Sequence, residues 1–346
     1  MVKLFESWSE NYAHLWKAII RPPRDEYEME DLGPSKFHIA GLICQRTDFE
    51  LTNPRGLKLK CSHFEPVDRV TEQLPCVIYL HGNCSSRVEA LPCVAALLPS
   101  NITLLCLDLS GSGKSDGEYV SLGYHERDDL STVVNHLRAS GTTSLVALWG
   151  RSMGATTSLL HGDRDPSIAG MILDSPFSDL RKLAEELVGD FVSTKVPRFM
   201  VKFGLSFIRS SIKSRAFFDI NDLTPIDHVA QTFIPAFFVA AEDDTFVKPD
   251  HTMRLFERYA GDKRMMIVPG SHNSSRPQFT LDAISGFLFN SLQCGSLPPR
   301  IHRPVPLGLP RIPRTRGIKG MGVGGSAKIS EDIQLQEAIQ ASLAID

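Results

Sequence analysis

Short, almost continuously apolar segments alternate along the chain with segments of helical character, and this order constrains the fold more than any other feature. The apolar segments are Cys76–Leu80, Thr103–Leu109, Leu145–Trp149, Gly170–Asp174, Ala236–Ala241 and Arg264–Val268. Apolar strands without polar alternation are typical of parallel sheets that are covered on both faces. The pattern therefore predicts a doubly wound α/β domain, with functional groups at the carboxyl ends of the strands.

Further strands and helices are predicted around these segments. A turn at Asn53–Gly56 separates two predicted strands at the start of the domain, Asp48–Leu51 and Leu57–His63. Helical patterns occur at Arg87–Leu98, Leu122–Ser140, Ala155–His161, Pro249–Tyr259 and Gln278–Leu292. Helices that alternate with strands in this way are expected to cover the two faces of the sheet.

The chain between Phe177 and Phe233 is longer than one crossover helix needs. Two amphipathic helices are predicted there, at Leu180–Phe191 and Val196–Ile212. Together they are expected to form a small helical cap over about residues 178–225, where it would shape an acyl pocket. The second helix is basic and aromatic, which is compatible with contact to a membrane surface. A helix that packs on the sheet and exposes a solvated basic face explains the same pattern.

A change in composition after the α/β domain marks a separate segment. From Gly295 to Ser330 there are seven basic residues, no acidic residue, and many prolines and glycines. Such a segment buries too little apolar surface to offset the entropy of ordering it, so residues 294–329 are predicted to be a disordered linker. Its charge is compatible with anionic lipid or RNA, but a solvated tether suffices, and nucleic acid is not expected as a partner. Residues 1–39 are predicted to be a helical extension, 40–293 the α/β domain, and 330–346 a C-terminal helix.

Targeting signals and cysteines indicate a cytoplasmic location. No apolar run approaches the roughly 18 residues needed to span a bilayer, and the first ten residues lack both a long apolar core and a small-residue cleavage site. The seven cysteines are odd in number and scattered, which is typical of reduced thiols. No pair has metal-ligand spacing, and we expect neither a metal nor a cofactor.

The pentapeptide Gly150-Arg-Ser-Met-Gly154 lies where a predicted strand gives way to a predicted helix. A G-x-S-x-G sequence in this setting is typical of a nucleophile elbow, a turn so sharp that only glycine fits around the serine. Ser152 is therefore the candidate nucleophile. Since a serine hydroxyl is a poor nucleophile near neutral pH, it needs a base.

Candidate partners of Ser152 follow later strands. Asp244 comes after Ala236–Ala241, and His272 comes after Arg264–Val268. The chain order Ser, Asp, His is that expected of a nucleophile, an orienting acid and a base on this kind of sheet. His272 would accept the serine proton and return it to the leaving group, while Asp244 would orient the imidazole.

Two backbone N–H groups are candidate donors to the oxyanion that such chemistry forms. One belongs to Met153, which directly follows the nucleophile at the predicted start of a helix. The other belongs to Asn83, in the His81-Gly82-Asn83 loop after a strand. Donors placed in this way stabilise the charge that develops on the substrate oxygen.

Alternatives to these assignments stay open. Glu242 and Asp243 are neighbours of Asp244, and Asp174 also ends a strand, so each is a second choice for the acid. Asp244 is favoured because the run after it spaces the carboxylate before the next helix. Cys84 lies near the proposed site but is expected to pack in the loop.

These motifs together resemble the α/β-hydrolase superfamily. They are His81–Asn83, Asp108–Ser115, Gly150–Gly154, Leu173–Phe177, Asp244 and His272. The resemblance covers about residues 40–293 and is closest to serine aminopeptidase-like and monoacylglycerol-lipase-like proteins, a group that includes protein depalmitoylases. It implies an α/β-hydrolase fold and a covalent acyl-enzyme mechanism on an ester or thioester, with an amide as the less favoured substrate. A non-catalytic scaffold of the same fold and a serine peptidase are the alternatives, and the intact Ser, Asp and His argue against the scaffold.

The C-terminal segment resembles a ubiquitin-interacting motif. Leu335, Ala338 and Ser342 are spaced to share one face of a helix, and the small alanine allows close approach of another surface. The resemblance implies contacts with ubiquitin through an apolar trio, a hydrogen-bonding serine and two leading acids: Leu335, Ala338, Ile339, Ser342, Glu331 and Asp332. A helix that folds back on the domain is the alternative.

Overall fold

One nine-stranded sheet organises the described part of the chain, which in this computed structural model is residues 16–191 except residue 18, then 198–300 and 308–312. The strands are β1 (Lys36–Ile39), β2 (Leu42–Thr52), β3 (Lys58–Pro66), β4 (Leu74–Leu80), β5 (Thr103–Leu107), β6 (Thr143–Arg151), β7 (Gly170–Asp174), β8 (Ala236–Ala241) and β9 (Lys263–Val268). Their order across the sheet is β1-β2-β3-β5-β4-β6-β7-β8-β9. Neighbours from β5 to β9 pair in parallel, while β1, β2 and β3 are antiparallel additions at one edge. The predicted, mostly parallel sheet is confirmed.

Helices lie between most of the strands. They are α1 (Leu91–Leu97), α2 (Glu126–Ala139), α3 (Met153–Gly162), α4 (Leu180–Phe191), α5 (Arg198–Ala216), α6 (Pro225–His228), α7 (Pro249–Arg258) and α8 (Gln278–Ser291). The predicted bounds of α4 are confirmed, and α5 lies within four residues of its predicted bounds. Among the helices of the described ranges, none combines the length and the apolar character needed to cross a membrane.

The sheet is buried on both faces because alternate side chains of each central strand enter different cores. In β4, Cys76, Ile78 and Leu80 enter the core that α2, α3 and α7 cover. Val77 and Tyr79 enter the opposite core, which α1 and α8 cover. Every residue of β4 is consequently buried, so the strand is apolar without alternation.

The first strand lies inside residues 1–39, which are predicted to be a helical extension, and for residues 36–39 that prediction is wrong. β1 pairs with β2 so that Ile39 faces Leu42 across a two-residue turn. The turn residues Ala40 and Gly41 have φ values of 48° and 78°. Positive φ at both central residues gives a turn whose twist matches that of the strands. Alanine at the first of these positions is not the usual Asn or Asp signal, so the pattern gives little warning of the hairpin.

Part of the predicted linker is ordered against the domain. The His38 N–H donates to the Pro310 carbonyl at 3.0 Å, and Ile312 is only 7% exposed. Arg300 donates to the Asp68 carbonyl at 2.8 Å. The prediction of a disordered linker is therefore wrong for residues 294–300 and 308–312, because apolar and hydrogen-bonding groups there find partners. The predicted ubiquitin-interacting helix at 330–346 lies outside the described residues.

The N-terminal segment ties together two loops at the carboxyl edge of the sheet. The Tyr27 hydroxyl donates to Asp108, in the loop after β5, at 2.7 Å. The Ser86 hydroxyl, in the loop after β4, donates to Asp25 at 2.7 Å. Since both loops border the candidate site, residues that precede the sheet help to fix its walls.

The helices predicted to form the cap continue the larger core. Leu183 of α4 and Ile212 of α5 belong to the same buried cluster as α2 and α3. His251 of α7 anchors the start of α4, since its Nδ1 accepts the Ser178 N–H at 3.1 Å. Its Nε2 lies 3.2 Å from a carboxylate oxygen of Glu186. The helices are thus packed on the domain through both apolar and polar contacts.

Candidate active site

Ser152 occupies a sharp turn between the end of β6 and the start of α3. Its φ and ψ angles are 50° and −115°, a conformation that residues other than glycine rarely adopt. A Cβ on Gly150 would lie 2.2 Å from the Gly154 carbonyl oxygen, and a Cβ on Gly154 would lie 2.0 Å from the Leu80 carbonyl oxygen. Both flanking positions therefore require glycine, which is the steric condition for a nucleophile elbow.

The side chains of Ser152, His272 and Asp244 form one hydrogen-bonded chain. Ser152 Oγ lies 2.9 Å from His272 Nε2, and His272 Nδ1 lies 2.6 Å from Asp244 Oδ2. The three residues are 5%, 2% and 4% exposed, respectively. With the carboxylate accepting from Nδ1–H, Nε2 is left as an acceptor for the serine hydroxyl.

Sheet topology explains why residues so distant in sequence meet. Strands β6, β7, β8 and β9 are parallel neighbours, so their carboxyl ends lie along one edge. Asp244 follows the end of β8, and its Oδ1 accepts the N–H groups of Phe246 and Val247 at 3.0 and 2.8 Å. These bonds fix the carboxylate, while its other oxygen is directed at His272.

The alternative acids have other surroundings. Glu242 and Asp243 are exposed. Asp174 is buried but forms two bonds of 2.8 Å with Arg276. Burial raises the pKa of the Asp174 carboxyl, and the Arg276 guanidinium more than offsets this and holds it below its ordinary value. The carboxylate in contact with His272 is that of Asp244.

The loop after β4 lies directly beside the elbow. A Cβ on Gly82 would lie 3.8 Å from Ser152 Cβ. Asn83 follows in this loop and is 8% exposed. Met153 is the first residue of α3, where backbone N–H groups have no acceptor within the helix. The two predicted oxyanion donors thus belong to segments that flank Ser152.

His81 links this loop to the loop after β5. Its Nε2 accepts the Leu109 N–H at 3.1 Å, and its Nδ1 donates to the Gly82 carbonyl at 2.7 Å. Cys84, three residues after His81, is half-buried. Other thiols lie in the cores, where burial raises the pKa of Cys61 and Cys76 to about 12, so they are protonated near neutral pH.

Sequence reasoning missed three buried charged side chains around the site: Glu89, Arg151 and Arg276. Arg151 occupies the first variable position of the elbow and donates to the His272 carbonyl at 2.7 Å. Arg276 binds the Asp174 carboxylate and also lies within 3.4 Å of the His272 carbonyl. No local pattern in the sequence marks these three residues, because their partners lie far away along the chain or in a loop whose fold is not known in advance.

Two family profiles match parts of the chain. The profile described as serine aminopeptidase, S33, matches residues 71–224, which include the elbow. A profile described as PhoPQ-activated pathogenicity-related protein matches residues 195–305, which include Asp244 and His272. Each match covers less than half of the chain and shows what those parts are similar to.

Curated proteins and solved structures extend the similarity. The uncharacterized protein YqkD of Bacillus subtilis is 27% identical over 236 residues, which are 67% of this chain and 74% of that protein. The lysophosphatidylserine lipase ABHD12 of Rattus norvegicus is 26% identical over 206 residues, 57% of this chain and 48% of the lipase, so the match spans about half of that relative. The structure of the Pyrococcus furiosus esterase Pf2001 gives a TM-score of 0.59 at 21% identity and covers 78% of this chain and 98% of that one.

These similarities and the observed sheet identify the fold. The mostly parallel sheet, the helices on both faces and the esterase structure agree on the α/β-hydrolase fold, which this chain has. Together with the serine aminopeptidase profile, the fold supports a hydrolytic function.

The elbow makes a prediction about stability. We expect Gly154→Ala to lower the free energy of unfolding by about 1–3 kcal/mol or more, because its methyl group would overlap the Leu80 carbonyl. Gly286→Ala is the matched control, since a Cβ there meets nothing within 4 Å, and it should stabilise α8 by up to about 1 kcal/mol. Urea unfolding of both variants is the measurement. Equal stabilities would contradict the steric account of the turn.

Proposed function

We propose that this chain is a serine hydrolase that cleaves carboxylic esters or thioesters through Ser152, His272 and Asp244. The observation that carries the proposal is the continuous chain of bonds from Ser152 Oγ to the Asp244 carboxylate, at 2.9 and 2.6 Å. The strained elbow supports it, because Ser152 is presented at the edge of the sheet where the loops meet.

In the proposed reaction, Ser152 Oγ attacks the carbonyl carbon while His272 Nε2 takes the serine proton. The tetrahedral oxyanion accepts hydrogen bonds from the Met153 and Asn83 N–H groups. Its collapse breaks the bond to the leaving alcohol or thiol, which receives the proton from His272. Water then attacks the acyl carbon and gives a proton to His272. The bond between the acyl carbon and Ser152 Oγ breaks, Oγ takes that proton back from His272, and the carboxylic acid is released.

Asp244 holds the imidazole in this scheme. The carboxylate accepts from Nδ1–H, so the imidazole keeps Nε2 available for the serine, and the negative charge stabilises the imidazolium that forms. The bonds from the Phe246 and Val247 N–H groups keep the acid in place during both half-reactions. The surroundings are nearly dry, which strengthens these interactions.

Comparisons favour an ester over an amide as substrate. One of the matched solved structures is of an esterase, and the rat relative is named a lysophosphatidylserine lipase. The family description serine aminopeptidase favours a serine peptidase as the second candidate. A non-catalytic scaffold is the third, and the hydrogen-bonded arrangement of all three side chains argues against it.

The proposal includes ubiquitin binding by residues 330–346, for which the support is the sequence pattern alone.

Contact with a membrane surface is proposed for α5, where Phe217 just beyond the helix is 79% exposed. Arg209 and Lys213 of α5 both pair with Asp219, which lowers the positive charge that this helix offers to anionic lipid. A cytoplasmic location is proposed from the number and spacing of the cysteines.

Ser152 provides the first test of the proposed reaction. We expect the wild-type protein to react with a fluorophosphonate probe and to hydrolyse p-nitrophenyl esters or acyl thioesters. Ser152→Ala should abolish labelling and lower turnover by several orders of magnitude with an unchanged melting temperature. Cys84→Ala is the control and should retain labelling. A folded wild-type protein that resists the probe would contradict the enzyme proposal.

The acid can be tested with neighbouring residues. Asp244→Asn should lower kcat by about 10⁴-fold, because an amide in place of the carboxylate stabilises the wrong imidazole tautomer. Asp243→Asn changes an exposed residue in the same loop and should leave kcat within a few-fold of wild type. Steady-state kinetics on one ester substrate compares the two. Similar losses in both variants would exclude Asp244 as the specific partner of His272.

The C-terminal segment can be tested separately from catalysis. Addition of the full chain to ¹⁵N-labelled ubiquitin should shift the resonances of the apolar patch of ubiquitin. Ala338→Arg should remove the shifts, because a long charged side chain prevents close approach. Gln340→Arg lies off the predicted binding face by helical spacing and should retain them. An unchanged ubiquitin spectrum at high concentration of the wild-type chain would refute the prediction.

A further inference from the structure

A buried ion pair connects the loop after β4 with the elbow. Glu89 Oε2 accepts the Gly82 N–H at 3.0 Å, and Glu89 Oε1 accepts the Tyr79 hydroxyl at 3.1 Å. Glu89 Oε1 also lies 3.6 Å from the Arg151 guanidinium. The side chains of Glu89 and Arg151 are 7% and 14% exposed, so their pair is only weakly screened by water.

The same arginine reaches the loop that carries His272. Arg151 Nη2 donates to the His272 carbonyl at 2.7 Å and to the Ser274 carbonyl at 3.1 Å. Burial disfavours its charge, but the Glu89 and Asp174 carboxylates raise the pKa of the Arg151 guanidinium above its ordinary value. Arg151 therefore stays charged, and its guanidinium connects the elbow to the backbone of the loop that carries the candidate base.

Arg276 also binds this loop. It binds the Asp174 carboxylate at the end of β7 and donates to the Ser271 carbonyl at 3.1 Å. The bonds of Arg276 are local to the His272 loop and its neighbouring strand. The pair of Glu89 and Arg151 connects the His272 loop to the loop proposed to hold the oxyanion.

We propose that Glu89 and Arg151 are positioning residues that couple the loop after β4 to the His272 backbone. Through them the proposed oxyanion donor, the Asn83 N–H, and the base, His272, keep fixed positions relative to Ser152. This inference rests on the proposed function. Gly82 precedes Asn83, so the bond from its N–H to Glu89 fixes the peptide plane next to the proposed donor. Arg151 precedes Ser152, so the guanidinium that meets Glu89 also fixes the entry to the elbow.

The coupling has a kinetic consequence. A misplacement of well under an ångström at either donor or base weakens transition-state stabilisation more than it weakens substrate binding. Loss of the pair should therefore reduce kcat and leave KM almost unchanged. Because the two residues act as one unit, the second substitution should cost much less than the first.

Steady-state kinetics of four variants tests this proposal. Glu89→Gln and Arg151→Gln should each lower kcat by about 10- to 100-fold, and the double variant should be little slower than either. Arg151→Lys, which keeps a charge and a donor, should restore part of kcat. Glu65→Gln is the control. Glu65 lies on β3, away from the site, and it also forms an ion pair with an arginine, Arg69. Unchanged kcat in Glu89→Gln, or fully additive losses, would overturn the proposal.

A spectroscopic readout separates this inference from the proposed function. The proton between His272 Nδ1 and Asp244 should give a downfield ¹H resonance, assigned by its absence in Asp244→Asn. Arg151→Gln should shift or broaden that resonance, whereas Glu65→Gln should not. A resonance identical in wild type and Arg151→Gln would overturn the inference even if no substrate were turned over. If the wild-type protein were inactive but its resonance changed in Arg151→Gln, the hydrolase proposal would be refuted. The inference that Arg151 positions the His272 loop would still hold.

Discussion

The close approach of α3 to the end of β4 is the constraint on which the candidate site depends. At Gly154 the helix backbone comes so near the Leu80 carbonyl that no side chain fits between them. This contact sets the elbow against the loop that begins one residue after Leu80. As a result, the start of α3 and the His81–Asn83 loop both lie beside Ser152. Strands β8 and β9 end at the same edge of the sheet, where they are followed by Asp244 and His272.

Local pattern was sufficient for most of the fold. Buried parallel strands are apolar at almost every position, so segments such as Gly170–Asp174 and Ala236–Ala241 could be bounded from the sequence. The hairpin of β1 was missed because its turn uses Ala40, which carries no strong turn signal. Residues 308–312 were assigned to the tether because the surrounding segment is rich in proline, glycine and basic residues, while their partner strand lies far away in sequence.

The candidate site likewise contains residues that could be predicted from the sequence and residues that could not. Ser152, Asp244 and His272 could be predicted because each follows a strand, and strand ends converge in a parallel sheet. Their roles remain predictions, but their proximity is an observation. Glu89 and Arg151 could not be foreseen, since their importance lies in contacts across more than sixty positions of chain, and nothing local distinguishes them from residues on a solvated helix.

The segment that lies along β1 has a consequence for how the sheet ends. An edge strand presents unpaired backbone groups on which another chain can add. Here the His38 N–H is already used by the Pro310 carbonyl, and Pro310 itself has no N–H to offer outward. At His38, therefore, the antiparallel edge is covered by a proline-containing segment of the same chain, which disfavours the addition of another strand at this point.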